Sequence, residues 1–235
     1  MGIMRLDKFL SNANIASRSK VKEILKNGRV KVNSIPVIKG DVKIDPDKDT
    51  IEFDGIPIEY EQFRYFMLYK PAGCVSATKD NLSDTVLDIL KDENTEGLFP
   101  VGRLDKDTEG LLLITNDGKL AHELLSPAKH VDKKYLVYLD KDINEESIKE
   151  IESGIDIGDD KPCLPCRIDT IVSDKLYITI REGRFHQVKR MFEKVGCEVV
   201  FLKRISMGTL ILDEALSPGD YRRLNAEEIE SLKRN

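Results

Sequence analysis

Apolar residues at positions 6, 9 and 10, and again at 21, 24 and 25, recur with the three- and four-residue spacing of an amphipathic helix. The pattern predicts two short helices between residues 5 and 27, the second capped by Ser17 and ended by Lys26-Asn27-Gly28. Val30, Val32, Ile35, Val37, Val42 and Ile44 then predict short strands, closed by Ile51-Glu52-Phe53 ahead of an Asp54-Gly55 turn. A polar linker, Glu59 to Arg64, precedes the apolar run Tyr65 to Tyr69, where a second domain begins. Two domains are therefore expected, residues 1–60 and 65–235.

In the second domain, Thr85 to Lys91 reads as a helix, Leu111 to Thr115 as a buried strand and Asn116-Asp117-Gly118 as the turn after it. Lys134 to Asp140 alternates as a strand, Ile143 to Ser153 reads as a polar helix, and Leu176 to Ile180 and Glu198 to Ile205 read as further strands. Val188, Met191, Phe192 and Val195 mark one face of a helix, with Lys189 and Arg190 on or beside the other. Asn225 with Glu228 starts a final helix in capping-box fashion. Hairpin-like turns and few strand-helix-strand units predict an α+β protein with a mixed, largely antiparallel sheet.

Composition narrows the class. With 40% hydrophobic and 34% charged residues over 235 positions, the chain can bury a core and is neither disordered nor collagen-like. No apolar run reaches 18 residues and no signal-peptide pattern opens the chain, so a cytoplasmic protein with reduced thiols and no membrane partner is expected. The net charge of −5 hides an asymmetry: residues 1 to 40 carry +7 and the remainder −12. A basic arm on an acidic body suits phosphate binding, because concentrated cations displace the counterions condensed on a nucleic acid. The same charges also suit a solvated helix face.

No phosphate-cradling or dinucleotide-binding glycine loop is present, so no cofactor is expected. Asp45, Asp47 and Asp49 mimic the start of a calcium loop, but Thr50 and Ile56 stand where its glycine and glutamate belong. Cys163 and Cys166 have zinc-ligand spacing without a second pair, and no metal site is expected.

Two segments concentrate the chemistry. Gly102-Arg103-Leu104-Asp105-Lys106-Asp107-Thr108-Glu109-Gly110 is a charged loop between apolar stretches, and in an extended segment Arg103 and Asp105 would share a side. Asp107 is a possible second carboxylate, or a turn residue accepting loop N–H groups. Ile180 to Met191 crowds Arg181, Arg184, Lys189, Arg190 and His186 around a helix start, a surface suited to phosphate. On composition alone the first segment is equally a polar connection, the second a solvated helix, and Tyr135 a core tyrosine.

Four blocks in order, Tyr-Phe-Met-Leu-x-Lys-Pro-x-Gly (65–73), Gly-Arg-Leu-Asp-x-Asp-Thr-x-Gly-Leu-Leu-Leu (102–113), Lys-x-Tyr-x-Val (133–137) and Glu-Gly-Arg-x-His-Gln-Val-Lys-Arg-Met (182–191), resemble the RsuA-type ribosomal RNA pseudouridine synthases. Residues 1 to about 60 resemble the small RNA-binding module shared with ribosomal protein S-four. The resemblance implies an isomerase that breaks the glycosidic bond of a uridine, turns the uracil and rejoins the ribose to carbon 5, without a cofactor. It makes Asp105 the catalytic aspartate, Arg103 and Arg184 its basic neighbours, Tyr135 the ring stacked on the uracil and Ile180 an apolar contact. Arg18, Lys22, Arg29, Lys189 and Arg190 are the candidate RNA-binding residues. The short C-terminus and Ser126-Pro127-Ala128-Lys129-His130 look like the small-subunit branch. They imply uridine 516 of 16S RNA as target, within free RNA or an assembly intermediate, and a monomeric enzyme. The alternatives are a 23S enzyme of the same family and a non-catalytic ribosome-assembly protein.

Overall fold

The computed structural model describes residues 2–13, 15–16, 18–58, 61–172 and 174–234, and the chain divides into two compact units, Met1–Phe63 and Arg64–Asn235. In the first, β1 (Met4–Arg5) leads into α1 (Leu6–Asn12) and α2 (Arg18–Lys26), followed by β2 (Val30–Val32), β3 (Ile35–Pro36), β4 (Lys43–Ile44), β5 (Ile51–Phe53) and β6 (Ile56–Pro57). Strands β3, β2, β5 and β6 form an antiparallel sheet in that order, and β1 pairs with β4. Asp54 and Gly55 both take positive φ in the tight turn between β5 and β6, as a two-residue hairpin requires. Leu6, Phe9, Leu10, Val21 and Leu25 pack against Val30, Ile44 and Ile51, which leaves Lys8, Lys20, Lys22 and Lys26 exposed. Ser17, the expected cap of α2, lies outside the described residues, as do residues 59 and 60 of the expected linker.

The second unit contains β7 (Tyr65–Lys70), β8 (Phe99–Pro100), β9 (Glu109–Thr115), α3 (Gly118–Leu125), β10 (Lys133–Leu139), α4 (Glu145–Glu152), β11 (Arg167–Val172), β12 (Lys175–Ile180), α5 (Gln187–Lys194), β13 (Val199–Met207), β14 (Leu210–Ile211), β15 (Tyr221–Arg223) and α6 (Ala226–Lys233). Its sheet runs β11-β12-β10-β13-β9-β7-β15, with β14 beside β13 and β8 beside β9. Strand β13 runs parallel to β9 and the other pairs are antiparallel. The unbroken apolar run of β7 follows from burial on both faces. Phe66 and Leu68 join the core under α5, while Tyr65, Met67 and Tyr69 join the core under α3 and α6.

Two expectations fail locally. Residues 85–91 form successive turns instead of a helix: the Val86 N–H is taken by the Val75 carbonyl, and Asp88 Oδ2 accepts the Thr85 N–H and hydroxyl. Asn116-Asp117-Gly118 is less a turn than the start of α3, because Asp117 Oδ1 accepts the N–H groups of Lys119 and Leu120 and caps the helix. Leu120, Ala121 and Leu124 then bury its inner face. The Asn225–Glu228 capping box is formed at α6 as expected. Residues 45–49 form a turn in which Asp49 accepts the Asp45 N–H.

Candidate active site

The charged loop 102–108 connects β8 to β9, and its shape comes from what lies beneath it. Leu104 is buried, and its N–H and carbonyl both bond the Ser76 hydroxyl, at 3.0 and 2.8 Å. The Lys70 side chain is fully buried, and its ammonium donates to the carbonyls of Pro71, Lys106 and Thr108 at 3.0, 3.3 and 2.9 Å. An ammonium has three protons, and this one has three acceptors. Burial nonetheless lowers the Lys70 pKa, against the raising influence of Cys74, Asp107, Asp105 and Glu109. The Gly73 N–H reaches the same Lys106 carbonyl at 2.7 Å. The Lys-Pro-x-Gly block is therefore a buttress for the loop that carries Asp105.

Gly110, at the other end of that loop, has a geometric reason. It lies in β9 at φ +103° opposite Arg204 of β13, and a Cβ there would sit 2.3 Å from the Arg204 carbonyl oxygen. Only glycine admits both the backbone angle and the approach.

Asp105 and Tyr135 line one pocket of about 640 Å³, with Ile180 and Arg184 in its wall. Tyr135 comes from β10, Ile180 from the end of β12, and α5 closes the side. Asp105 is a quarter exposed; its Oδ1 lies 3.7 Å from His186 Nε2 and its Oδ2 lies 3.5 Å from Lys189 Nζ. The same Lys189 ammonium bonds both oxygens of Asp107, at 2.6 and 2.8 Å. Partial burial raises the Asp107 pKa, but Lys189 more than offsets it and holds the carboxylate below its ordinary range. One cation thus ties both acidic residues of the loop to α5.

The expected basic neighbours are placed differently. Arg103 is exposed and forms no ion pair with Asp105 among the described residues. The loop is not an extended strand: Gly102 turns it at φ +80°, and the Thr108 N–H closes onto the Asp105 carbonyl. Arg184 lines the pocket, yet its guanidinium is committed to Glu182 at 3.0 Å and to the carbonyls of Lys161 and Pro162 at 2.5 and 2.8 Å. Glu182 also accepts from Gln187 and the Leu164 N–H, so Arg184 completes a network that pins residues 159–164 to the start of α5.

Arg190, expected as a free phosphate ligand, is spent within the chain as well, on Asp159 Oδ1 at 2.6 Å and the Ile157 carbonyl at 2.7 Å. Lys189, expected in the same role, faces the two aspartates. An amphipathic period shows which side a cation takes but not which carboxylate the fold brings to it. In the first unit, Lys22 is exposed and no ion pair engages it among the described residues. Arg29 pairs with Asp54 and lies 4.6 Å above the Phe53 ring. Arg18 opens α2, and its side chain lies outside the described part.

Sequence reasoning missed Lys70, Lys133 and Arg204, each less than a tenth exposed. The signal was available: each is a cation in the inward phase of an alternating or wholly apolar strand, where a charge is expensive unless partnered. Among the described residues no group of three or more His, Cys, Asp or Glu could hold a metal ion. Cys163 and Cys166 are free thiols, and burial pushes Cys166 up to about 12.

Comparison with known proteins identifies the family. Residues 64–194 match the RNA pseudouridylate synthase family and residues 4–47 match the S4 domain. An RNA pseudouridine synthase of Bacillus subtilis (strain 168) is 46% identical, across 97% of this chain and 98% of the relative. The ribosomal small subunit pseudouridine synthase A of Yersinia pestis is 41% identical across 97% and 98%, and the ribosomal large subunit pseudouridine synthase B of Bacillus subtilis is 38% identical across 97% and 95%. A crystal structure of a pseudouridylate synthase superposes with a TM-score of 0.70 at 38% identity, across 97% of this chain and 99% of that one.

Proposed function

The chain belongs to the RNA pseudouridylate synthase family, and from that premise we propose that it isomerises one uridine of 16S ribosomal RNA, uridine 516 in the usual numbering, with Asp105 as the catalytic carboxylate. The observation that carries the catalytic part is a carboxylate at a pocket mouth, held from below by the Lys70 buttress and from the side by Lys189, with the Tyr135 ring in the pocket wall. A uridine in folded RNA hides its glycosidic bond, so it is extruded and held by stacking and edge contacts. Tyr135 supplies the stacking face and Ile180 an apolar contact. Asp105 lies against the ribose, where a carboxylate either attacks C1′ or removes a sugar proton. Lys189 orients Asp105, Arg184 shapes the pocket wall, and the exposed Arg103 is left to meet the RNA at the mouth. Arg18, Lys22 and Arg29 of the first unit are assigned to phosphate contacts.

The 16S target is supported by the likeness to the small-subunit enzyme; the comparable likeness to the large-subunit enzyme favours 23S RNA as the second reading. Mapping pseudouridine in both RNAs from cells lacking the gene decides between them: loss at 16S position 516 is expected, and an unchanged 16S with a missing 23S site refutes the first reading. Asp105→Ala should abolish tritium release from carbon-5-labelled uridine in RNA. Retained release would refute the role of Asp105, and no release from the parent protein would favour a chain that only grips RNA.

A further inference from the structure

The floor of the pocket carries charge that none of these roles uses. Along β10 the buried positions alternate as Lys133, Tyr135, Val137 and Leu139, and β13 buries Leu202 and Arg204. Every second residue of a strand faces one side, and the strand register sets Arg204 opposite Tyr135 and Lys133 opposite Ile180. An apolar core face therefore ends, at the pocket, in two cations.

Both line the pocket. Lys133 is 7% exposed and Arg204 is 2% exposed. Their protein partners are few: Lys133 Nζ donates to the Val131 carbonyl at 2.9 Å, Arg204 Nε donates to the Leu111 carbonyl at 2.7 Å, and Arg204 Nη2 is buried with no hydrogen-bond partner among the described residues. Neither forms an ion pair with a carboxylate among those residues. Burial, and then the Arg204 charge, lower the Lys133 pKa. Asp132 offsets part of this for Lys133, but two buried positive charges without a carboxylate in ion-pair contact remain costly, and that cost is offset when a negative charge arrives.

The reaction supplies one. When the glycosidic bond of uridine breaks, its electron pair leaves on uracil N1, so C1′ becomes electron-deficient and the detached base is an anion with charge spread over N1, O2 and O4. We propose that Lys133 and Arg204 form a cationic floor that hydrogen-bonds a carbonyl oxygen of this departing uracil and stabilises the anion as it develops. The pair then acts in the transition state more than in the bound substrate, which raises the rate of bond cleavage rather than affinity. The charge is discharged when C5 bonds to C1′: C5 releases its proton to solvent and N1 takes one up, so the product is an isomer of the substrate. This inference rests on the reading that the pocket takes the target uridine.

The test is single-turnover tritium release from carbon-5-labelled 16S and 23S transcripts, with RNA affinity measured separately by filter binding. Lys133→Gln and Arg204→Gln should each lower the saturating rate by about a hundredfold or more, the usual loss for one donor to a developing oxyanion, with RNA affinity unchanged. Arg204→Lys, which keeps a charge, should recover part of the rate. Lys133→Gln leaves the Arg204–Leu111 bond in place and serves if Arg204→Gln fails to fold. Saturating rates equal to the parent's, or a loss confined to RNA affinity, would overturn the floor while leaving the functional reading intact. A parent enzyme that releases no tritium from either transcript, nor from subunit-assembly intermediates carrying the same label, would overturn the functional reading and the floor with it.

Discussion

Replacing Lys70 by methionine keeps an unbranched apolar stem as far as the ε position and removes the ammonium. Thr108 then loses the donor that reaches its carbonyl at 2.9 Å, while the half-buried Pro71 carbonyl keeps the weak Cys74 thiol donor at 3.5 Å and the Lys106 carbonyl keeps the Gly73 N–H at 2.7 Å. One buried carbonyl left unpaired costs about 1–3 kcal/mol and the weakened Pro71 bond about 1 more, and relief of the buried charge offsets part of that, for a net loss of about 1–3 kcal/mol. In a unit of this size that lowers the transition by roughly 2–12 °C, read by calorimetry on the full chain. The pH dependence has a definite sign. Because the folded pKa of Lys70 lies below the ordinary 10.5, the unfolded chain binds more protons between those two values, and parent stability rises with pH there relative to the variant. The deficit of Lys70→Met should therefore widen as pH rises through that window. A midpoint equal to the parent's, or a deficit that narrows, would refute the buttress.

Gly110→Ala should be more damaging than an ordinary surface change, by about 4 kcal/mol or more, because both the positive φ and the Arg204 carbonyl oppose a Cβ; equal thermal midpoints would contradict the close approach. Lys189→Met removes the tie between Asp105 and α5 and should cost about a hundredfold in single-turnover rate, the scale expected when a catalytic group is misplaced by an ångström. Asp107→Asn keeps the loop and should retain most of the activity, and an inactive Asp107→Asn would promote it to a second catalytic carboxylate. Neutralising Lys22 and Arg29 together should reduce the slope of log affinity against log salt by about 1.5, from two lost phosphate contacts, and an unchanged slope would mean that these residues only solvate the module.

Periodicity located α1, α2 and α5 and the buried strands, because the burial of one face at period 3.6 or 2 is written into consecutive residues, and the Asn225–Glu228 capping pair located α6. It also marked the loop of Asp105 and the cluster ahead of α5. It misread residues 85–91, where the Val75 carbonyl and the Asp88 side chain take backbone donors that a helix would use internally. It likewise read a turn where Asp117 caps α3, since aspartate before glycine serves either purpose. What no local pattern contains is the pairing of charges far apart in sequence. Lys189 meets Asp105 and Asp107, Arg184 and Arg190 turn to the segment 157–162, and Lys70 reaches beneath the loop at 106–108. The sequence determined which side chains face inward, since alternation and helical period are properties of neighbouring residues. Only the tertiary structure decided which cation serves which carboxylate, because long side chains choose partners by distance, and distance across the sheet is set by strand order and register.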